Sequence, residues 1–189
     1  MVLLSVLALV GSSNLAHAAD FNANLTIRPS MTLTIPTSTI SMNLDPGSKT
    51  YDERDFLVSV ATNNPTGYKL YMSTADDTTS LVNNDDNTKT IPTLNSTYSI
   101  DSFPANYWGY RTSLGTVSSG DYKGFTSGDI ISESNTPTNT ITTAVGLASK
   151  IDYMKPSGTY ELALNFEAVA PVAQNTPPPS PLSPFQTPG

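Results

Sequence analysis

Tyr160-Glu161-Leu162-Ala163-Leu164-Asn165-Phe166-Glu167-Ala168 carries a large or apolar side chain at every second position from Tyr160 to Ala168. Successive side chains of an extended chain point to opposite faces, so this spacing gathers five of them on one face of a strand. Ahead of it stands Pro156-Ser157-Gly158, a cluster of turn residues of the kind that bounds strands.

The same period of two recurs upstream. Ile151 with Tyr153 predicts a short strand running to that turn, and Ile141, Thr143, Val145 and Leu147 predict a longer one. Trp108 with Tyr110, and Tyr98 with Ile100, predict two short strands around Phe103-Pro104. Phe56, Val58 and Val60 alternate up to Asn63-Asn64-Pro65-Thr66-Gly67. Tyr68, Leu70 and Met72 then follow, which predicts a hairpin. Ile40, Met42 and Leu44 are closed by Asp45-Pro46-Gly47, where Pro presets φ and Gly tolerates a positive one. Met31, Leu33 and Ile35 predict a further strand, and Phe21, Ala23, Leu25 and Ile27 another. Residues 73–90 read as one long polar loop, while residues 112–138 are rich in Gly, Ser, Thr and Asn and leave no clear period.

About eight or nine short strands with no amphipathic helix predict an all-β fold. We expect an antiparallel β-sandwich, Ig-like or jelly-roll-like, because long polar loops suit the ends of a sandwich. Within the 189 residues the expected organisation is a signal peptide at 1–19, the sandwich at 20–170 and a Pro-rich tail at 171–189.

The signal peptide is read from the apolar run of residues 1–10 and the small-residue pattern Ala16-His17-Ala18. Ten apolar residues in a helix span about 15 Å, against a hydrocarbon core of about 30 Å, so the run is too short to anchor the chain. No Lys or Arg precedes it, which leads us to expect that translation starts upstream of Met1. Seven of the 19 residues from Pro171 to Gly189 are Pro, a composition that favours polyproline II and a semi-rigid spacer of up to about 60 Å. No apolar stop-transfer run or sorting motif follows, so the protein is expected either to be released or to continue in a longer, anchored chain.

Composition removes several function classes. Nine Lys and Arg are scattered among sixteen Asp and Glu, for a net charge of -7. Nucleic-acid binding needs cations massed against phosphates, so it is not expected, and neither is an anionic membrane surface. There is no cysteine, which removes disulfides, thiolate metal sites and cysteine nucleophiles. The sole histidine, His17, lies in the segment expected to be cleaved, so the mature chain lacks the usual base of a serine hydrolase. Only 13% of residues are charged, about half the usual share, and Thr, Ser and Asn keep the surface wet instead.

Each remaining motif has a plainer reading. Gly115-Thr116-Val117-Ser118-Ser119-Gly120-Asp121 is a loop, since Asp121 stands where a phosphate-binding loop needs Lys. Asn83-Asn84-Asp85-Asp86-Asn87 clusters oxygen ligands of the kind Ca²⁺ takes, but without EF-hand spacing, and reads as a solvated loop. Tyr107-Trp108-Gly109-Tyr110 is the densest aromatic cluster. On a strand Trp108 and Tyr110 share one face, and a lone Trp there is expected in the core rather than at a recognition surface. A carboxylate pair for glycoside hydrolysis and a Lys–Asn isopeptide crosslink are chemically open to the composition, with no spacing that singles out residues. No catalytic, cofactor-binding or metal-ligating residue is therefore nominated, and no cofactor is expected.

Lys155-Pro156-Ser157-Gly158-Thr159-Tyr160 leading into Leu162, Leu164 and Phe166 resembles the last hairpin of WxL-type bacterial surface domains, and Ala61 to Leu70 resembles their sandwich strands. The resemblance covers about 40 residues. Trp108-Gly109-Tyr110 and Leu164-Asn165-Phe166 stand nearest to the defining Trp-x-Leu tripeptides, which are absent, so no site residue is carried over. The resemblance implies a β-sandwich held non-covalently at a cell wall.

The expected function is a non-enzymatic, exported module of a bacterial envelope, serving structure, adhesion or wall association. Its partner would be a cell-wall polymer, a glycan or another surface protein, with no membrane insertion of the mature domain. The alternatives are a secreted carbohydrate-binding protein or carboxylate-based glycosidase, and a self-associating, pilin-like subunit whose sheet edge accepts a strand.

Overall fold

The computed structural model describes residues 25–36 and 39–172. The expected signal peptide, Phe21, Ala23 and the tail beyond residue 172 lie outside them. Among the described residues ten strands form three sheets, and every ladder between them is antiparallel. The fold is all-β and sandwich-like, as the alternation predicted.

The first sheet orders β1 (Met31–Thr34), β2 (Tyr51–Thr62), β8 (Thr138–Lys150) and β6 (Tyr107–Leu114) as β1-β2-β8-β6. The second orders β10 (Asn165–Val169), β3 (Tyr68–Ser73) and β7 (Asp129–Ser134) as β10-β3-β7. A small third sheet joins β5 (Thr90–Ile91), β4 (Leu81–Asn83) and β9 (Tyr160–Glu161). The core lies between the first two sheets. Phe56, Val58, Val60, Val145 and Leu147 of the first face Tyr68, Leu70, Met72 and Ile131 of the second. The Phe56 and Phe166 rings meet edge to face at 5.6 Å across the gap.

Several expected elements fall differently. Residues 63–67 do not close a hairpin: β2 has β1 and β8 as neighbours, and β3 lies in the opposite sheet. Period-two alternation puts Val58, Val60, Tyr68, Leu70 and Met72 inward in either arrangement, so it cannot tell an in-plane hairpin from an arch across the core. Gly67 makes the arch possible. Its φ is +69°, and a Cβ there would lie 1.9 Å from the Ser134 carbonyl oxygen. By contrast, Gly47 does not use a positive φ; the turn is held by Asp45, whose carboxylate accepts from the Gly47 amide at 2.8 Å and the Ser48 hydroxyl at 2.7 Å.

The alternation at 160–168 is real in burial but divided in pairing. β9 pairs with β4, and β10 pairs with β3. Residues 151–153 continue no strand: Ile151 is buried and Tyr153 is exposed. Ile40, Met42 and Leu44 pack on the core without joining a ladder, and Leu25 and Ile27 form no strand. The 73–90 stretch contains β4, and 112–138 contains the end of β6 and all of β7.

The first sheet is covered on its outer face as well. Leu94, Phe103 and Tyr122 close over Ala148, flanked by Tyr51, Tyr98 and Tyr107. This second core explains why β8 is buried without a break from Thr143 to Ser149 instead of alternating.

Candidate functional site

The densest group of ionisable side chains sits under that cover. Glu53 and Asp55 on β2, and Arg111 on β6, occupy outer positions on strands that flank β8. Opposite them β8 carries only Ala148 and Gly146: Glu53 pairs with Ala148, and both Asp55 and Arg111 pair with Gly146. A Cβ on Gly146 would come within 2.1 Å of the Ser118 Oγ and 2.6 Å of an Asp55 carboxylate oxygen. The small residues leave a trough in which side chains from the outer strands meet.

In the trough Glu53 accepts from the Tyr51 hydroxyl at 2.8 Å, from the Tyr122 hydroxyl, and from Arg111 at 3.4 Å. Arg111 also donates through Nε to Ser118 at 3.0 Å and through Nη1 to the Gly120 carbonyl at 3.3 Å, while its guanidinium lies 4.5 Å over the Tyr122 ring. The Ser118 hydroxyl donates in turn to Asp55. The Tyr122 hydrogen bond, opposed in part by burial and aided by Tyr51 and Arg111, holds the Glu53 carboxyl below its usual value. Burial pushes Tyr51 up to about 12 and raises Tyr122 as well. Glu53 therefore stays ionised and the tyrosines stay neutral through the physiological range. A brace of this kind fixes the cover to the sheet, and a carboxylate so held makes a poor general acid.

The other weighed groups are also engaged. Trp108 is buried, donates through Nε1 to the Thr79 carbonyl at 2.9 Å, and packs on Phe125; Tyr110 is fully buried with its hydroxyl on Asp129 at 2.5 Å. The aromatic cluster is core. In the Asn83 loop the oxygens cap their own turn: the Asn83 Oδ1 accepts from the amides of Asp85 and Asp86, and Asp86 accepts from Thr88. Among the described residues no group of three or more His, Cys, Asp or Glu is placed to hold a metal. Lys150 and Lys155 donate to the carbonyls of Phe103 and Thr90, and Lys49 forms an ion pair with buried Asp52 that Arg54 shares.

Two shallow concavities lie on the surface. One, of about 440 Å³, is lined by small polar residues including Ser30, Thr32, Asn63 and Thr138. The other, of about 340 Å³, sets Asp76 and Glu161 beside Val82 and Leu162. Hydrogen bonds from the Thr78 hydroxyl and amide hold the exposed Asp76 carboxyl below its usual value.

A last feature is an edge. Among the described residues β10 has β3 on one side and no strand on the other, and β1 is likewise terminal in its sheet. β1 and β10 lie against each other across the sandwich. Sequence reasoning foresaw an open edge as a possibility but missed the brace entirely. Glu53 and Asp55 read as ordinary solvent-face residues, and nothing in the unplaced stretch marked Ser118 or Tyr122 as their partners.

No protein-family model matches this chain, and no curated protein matches it in sequence.

Proposed function

We propose that the chain is a non-enzymatic, exported module of a bacterial cell envelope, serving structure, adhesion or wall association through the faces and loops of the sandwich. The observation that carries this reading is the brace. Glu53, Arg111, Tyr51 and Tyr122 saturate one another and hold the cover in place, so the groups with the widest chemical reach are spent on rigidity. Export is read from residues 1–19, and the Pro-rich 171–189 would space the domain from whatever it is attached to. The partners that fit are a wall polymer, a glycan or another surface protein. Co-sedimentation of the processed chain with purified bacterial cell walls tests it: saturable retention is expected, and recovery wholly in the supernatant overturns wall association.

A second reading is favoured by the concavity that holds Asp76 and Glu161 beside Val82 and Leu162. Carboxylates that accept sugar hydroxyls beside an apolar floor suit a carbohydrate. Because Asp76 is held ionised, it is unsuited to the acid role in glycoside hydrolysis, and the reading is one of binding. A glycan array read with the unaltered chain and with Asp76→Asn separates the two: a signal lost in the variant favours this reading.

A further inference from the structure

We propose that copies of this chain assemble head to tail, the segment Phe21-Asn22-Ala23-Asn24-Leu25-Thr26-Ile27 of one copy adding as a strand to the open edge of β10 in the next. The inference rests on the fold and not on the wall or glycan partner, so it stands or falls separately from the function proposed above.

The acceptor is a sheet edge: among the described residues no strand borders β10 on the side away from β3, where β1 lies against it from the other sheet. The consequence is visible in burial. The inward residues of β3, Tyr68, Leu70 and Met72, are fully buried, whereas Phe166 and Ala168 on β10 and Met31 and Leu33 on β1 are only half-buried. A strand laid beside β10 would pair with its outward-facing backbone groups and cover those four side chains.

The donor is the alternating segment whose described part, Leu25 to Ile27, joins no strand. Leu25 is 87% exposed and Ile27 is 75% exposed, in chain that joins no sheet. Residues 21–27 carry no charge, and their apolar positions recur every second residue. That is the pattern needed to lay one face on a core and the other on water. The segment leaves the domain at a fixed point: the Asn63 side chain accepts from the Ser30 amide at 2.6 Å and donates to the Arg28 carbonyl at 2.9 Å. β1 runs from there along the edge of the first sheet, and Leu25 and Ile27 stay exposed instead of pairing with their own β10. The other terminal stretch is a poor donor, because seven of the residues from 171 to 189 are Pro and lack the amide a ladder requires.

An interface that joins one end of a molecule to a different surface of the next does not close on itself, so the product is an open chain of copies. The absence of cysteine makes the register directly testable in the processed chain, residues 20–189. Thr26→Cys is mixed with Glu167→Cys, which sits on β10, and in parallel with Glu133→Cys, which sits on the opposite edge strand β7. Disulfide-linked heterodimer is expected at least tenfold in excess for the β10 pair. Light scattering over rising concentration should show growth of the unaltered chain. Leu25→Asp with Ile27→Asp, at positions that make no use of the core, should keep the β spectrum and weaken assembly by tenfold or more per side chain. A unaltered chain that stays monomeric throughout, equal crosslinking at β7 and β10, or assembly indifferent to the double substitution would each overturn the proposal.

Discussion

The Tyr122 hydroxyl donates to the Glu53 carboxylate, joining a loop of the outer cover to the second strand of the first sheet. Sixty-nine residues separate the two in sequence. Glu53 also takes Tyr51 and Arg111, so one carboxylate gathers three donors from three separate parts of the chain. Glu53→Gln keeps the shape and removes the charge. Hydrogen bonds to charged groups contribute more than neutral ones, and Glu53 keeps some contact with solvent, so a loss of about 1–2 kcal/mol is expected. Tyr122→Phe should cost about 1 kcal/mol. Urea denaturation of both variants measures this, and a pair of unchanged midpoints would mean that the brace carries no stability.

The ionisable groups set a pH window. Glu53 and Asp52 both have carboxyls held below their usual values. For Asp52 burial works the other way, but Lys49, the Asn43 amide and Arg54 outweigh it. A lowered carboxyl stabilises the fold above its unfolded value, and that stability is lost as pH falls through the folded one. Three tyrosines, Tyr51, Tyr110 and Tyr122, run oppositely. Burial raises Tyr51 to about 12 and raises Tyr110 and Tyr122 as well, so their contribution is complete below the ordinary value of 10.0 and is lost as pH climbs above that value. Melting temperature should therefore be flat from about pH 5 to about pH 9.5 and fall on both sides. Tyrosinate absorbance in the folded protein should lag behind that of the unfolded chain. Full ionisation near pH 10 without unfolding would contradict it.

Alternation made the all-β class legible, and it did so most clearly where one face met the core: β2, β3, β8 and the run from Tyr160 to Ala168. It failed where the chain changed sheets. The sequence around Asn63-Asn64-Pro65-Thr66-Gly67 reads the same for a hairpin as for an arch, because inward residues stay inward in both. It failed again on the cover, since Leu94, Phe103 and Tyr122 come from irregular segments with no period at all. Burial of β8 on both faces was concealed by its small residues, Gly146 and Ala148, which look like interruptions and are in fact what lets Arg111 reach Glu53. The brace is a product of tertiary meeting, and no local pattern announces it.

Thr143 lies in the middle of β8 at 1% exposure, and its hydroxyl finds no partner among the described residues. A buried hydroxyl without a hydrogen bond carries its desolvation cost uncompensated. Thr143→Val replaces it with a methyl of similar size and keeps the β-branched shape that a strand favours. The variant should gain about 1 kcal/mol in chemical denaturation. A loss of stability would show that the hydroxyl is satisfied in solution.

Gly67 should be intolerant of any side chain. At φ +69° an L-residue is strained, and the added Cβ would collide with the backbone at Ser134, which cannot swing aside as a side chain could. Gly67→Ala is expected to cost at least about 2 kcal/mol, with the arch between the sheets forced open. Gly120→Ala is the control: its φ is +85°, but nothing lies within 4 Å, so it carries the strain without the collision. The difference in unfolding free energy between the two variants isolates the contact with Ser134, and equal losses would assign the whole effect to φ.

Trp108 is the chain's only tryptophan, at 2% exposure, with its indole N–H committed to Thr79 and its ring against Phe125 at 5.7 Å. Its emission should be blue-shifted in the native protein and resist quenching by acrylamide until the domain unfolds. It follows that intrinsic fluorescence will not report a ligand bound at the surface, so a sugar or wall fragment that leaves the emission unchanged has not been shown to be a non-binder. Truncation at this position removes one of the largest buried side chains and strands the Thr79 carbonyl. Trp108→Ala should therefore cost about 3–5 kcal/mol, while Trp108→Phe, which refills most of the volume but not the hydrogen bond, should cost distinctly less. Native-state emission at the wavelength of free indole in water would place Trp108 on the surface and undo the reading of Tyr107-Trp108-Gly109-Tyr110 as core.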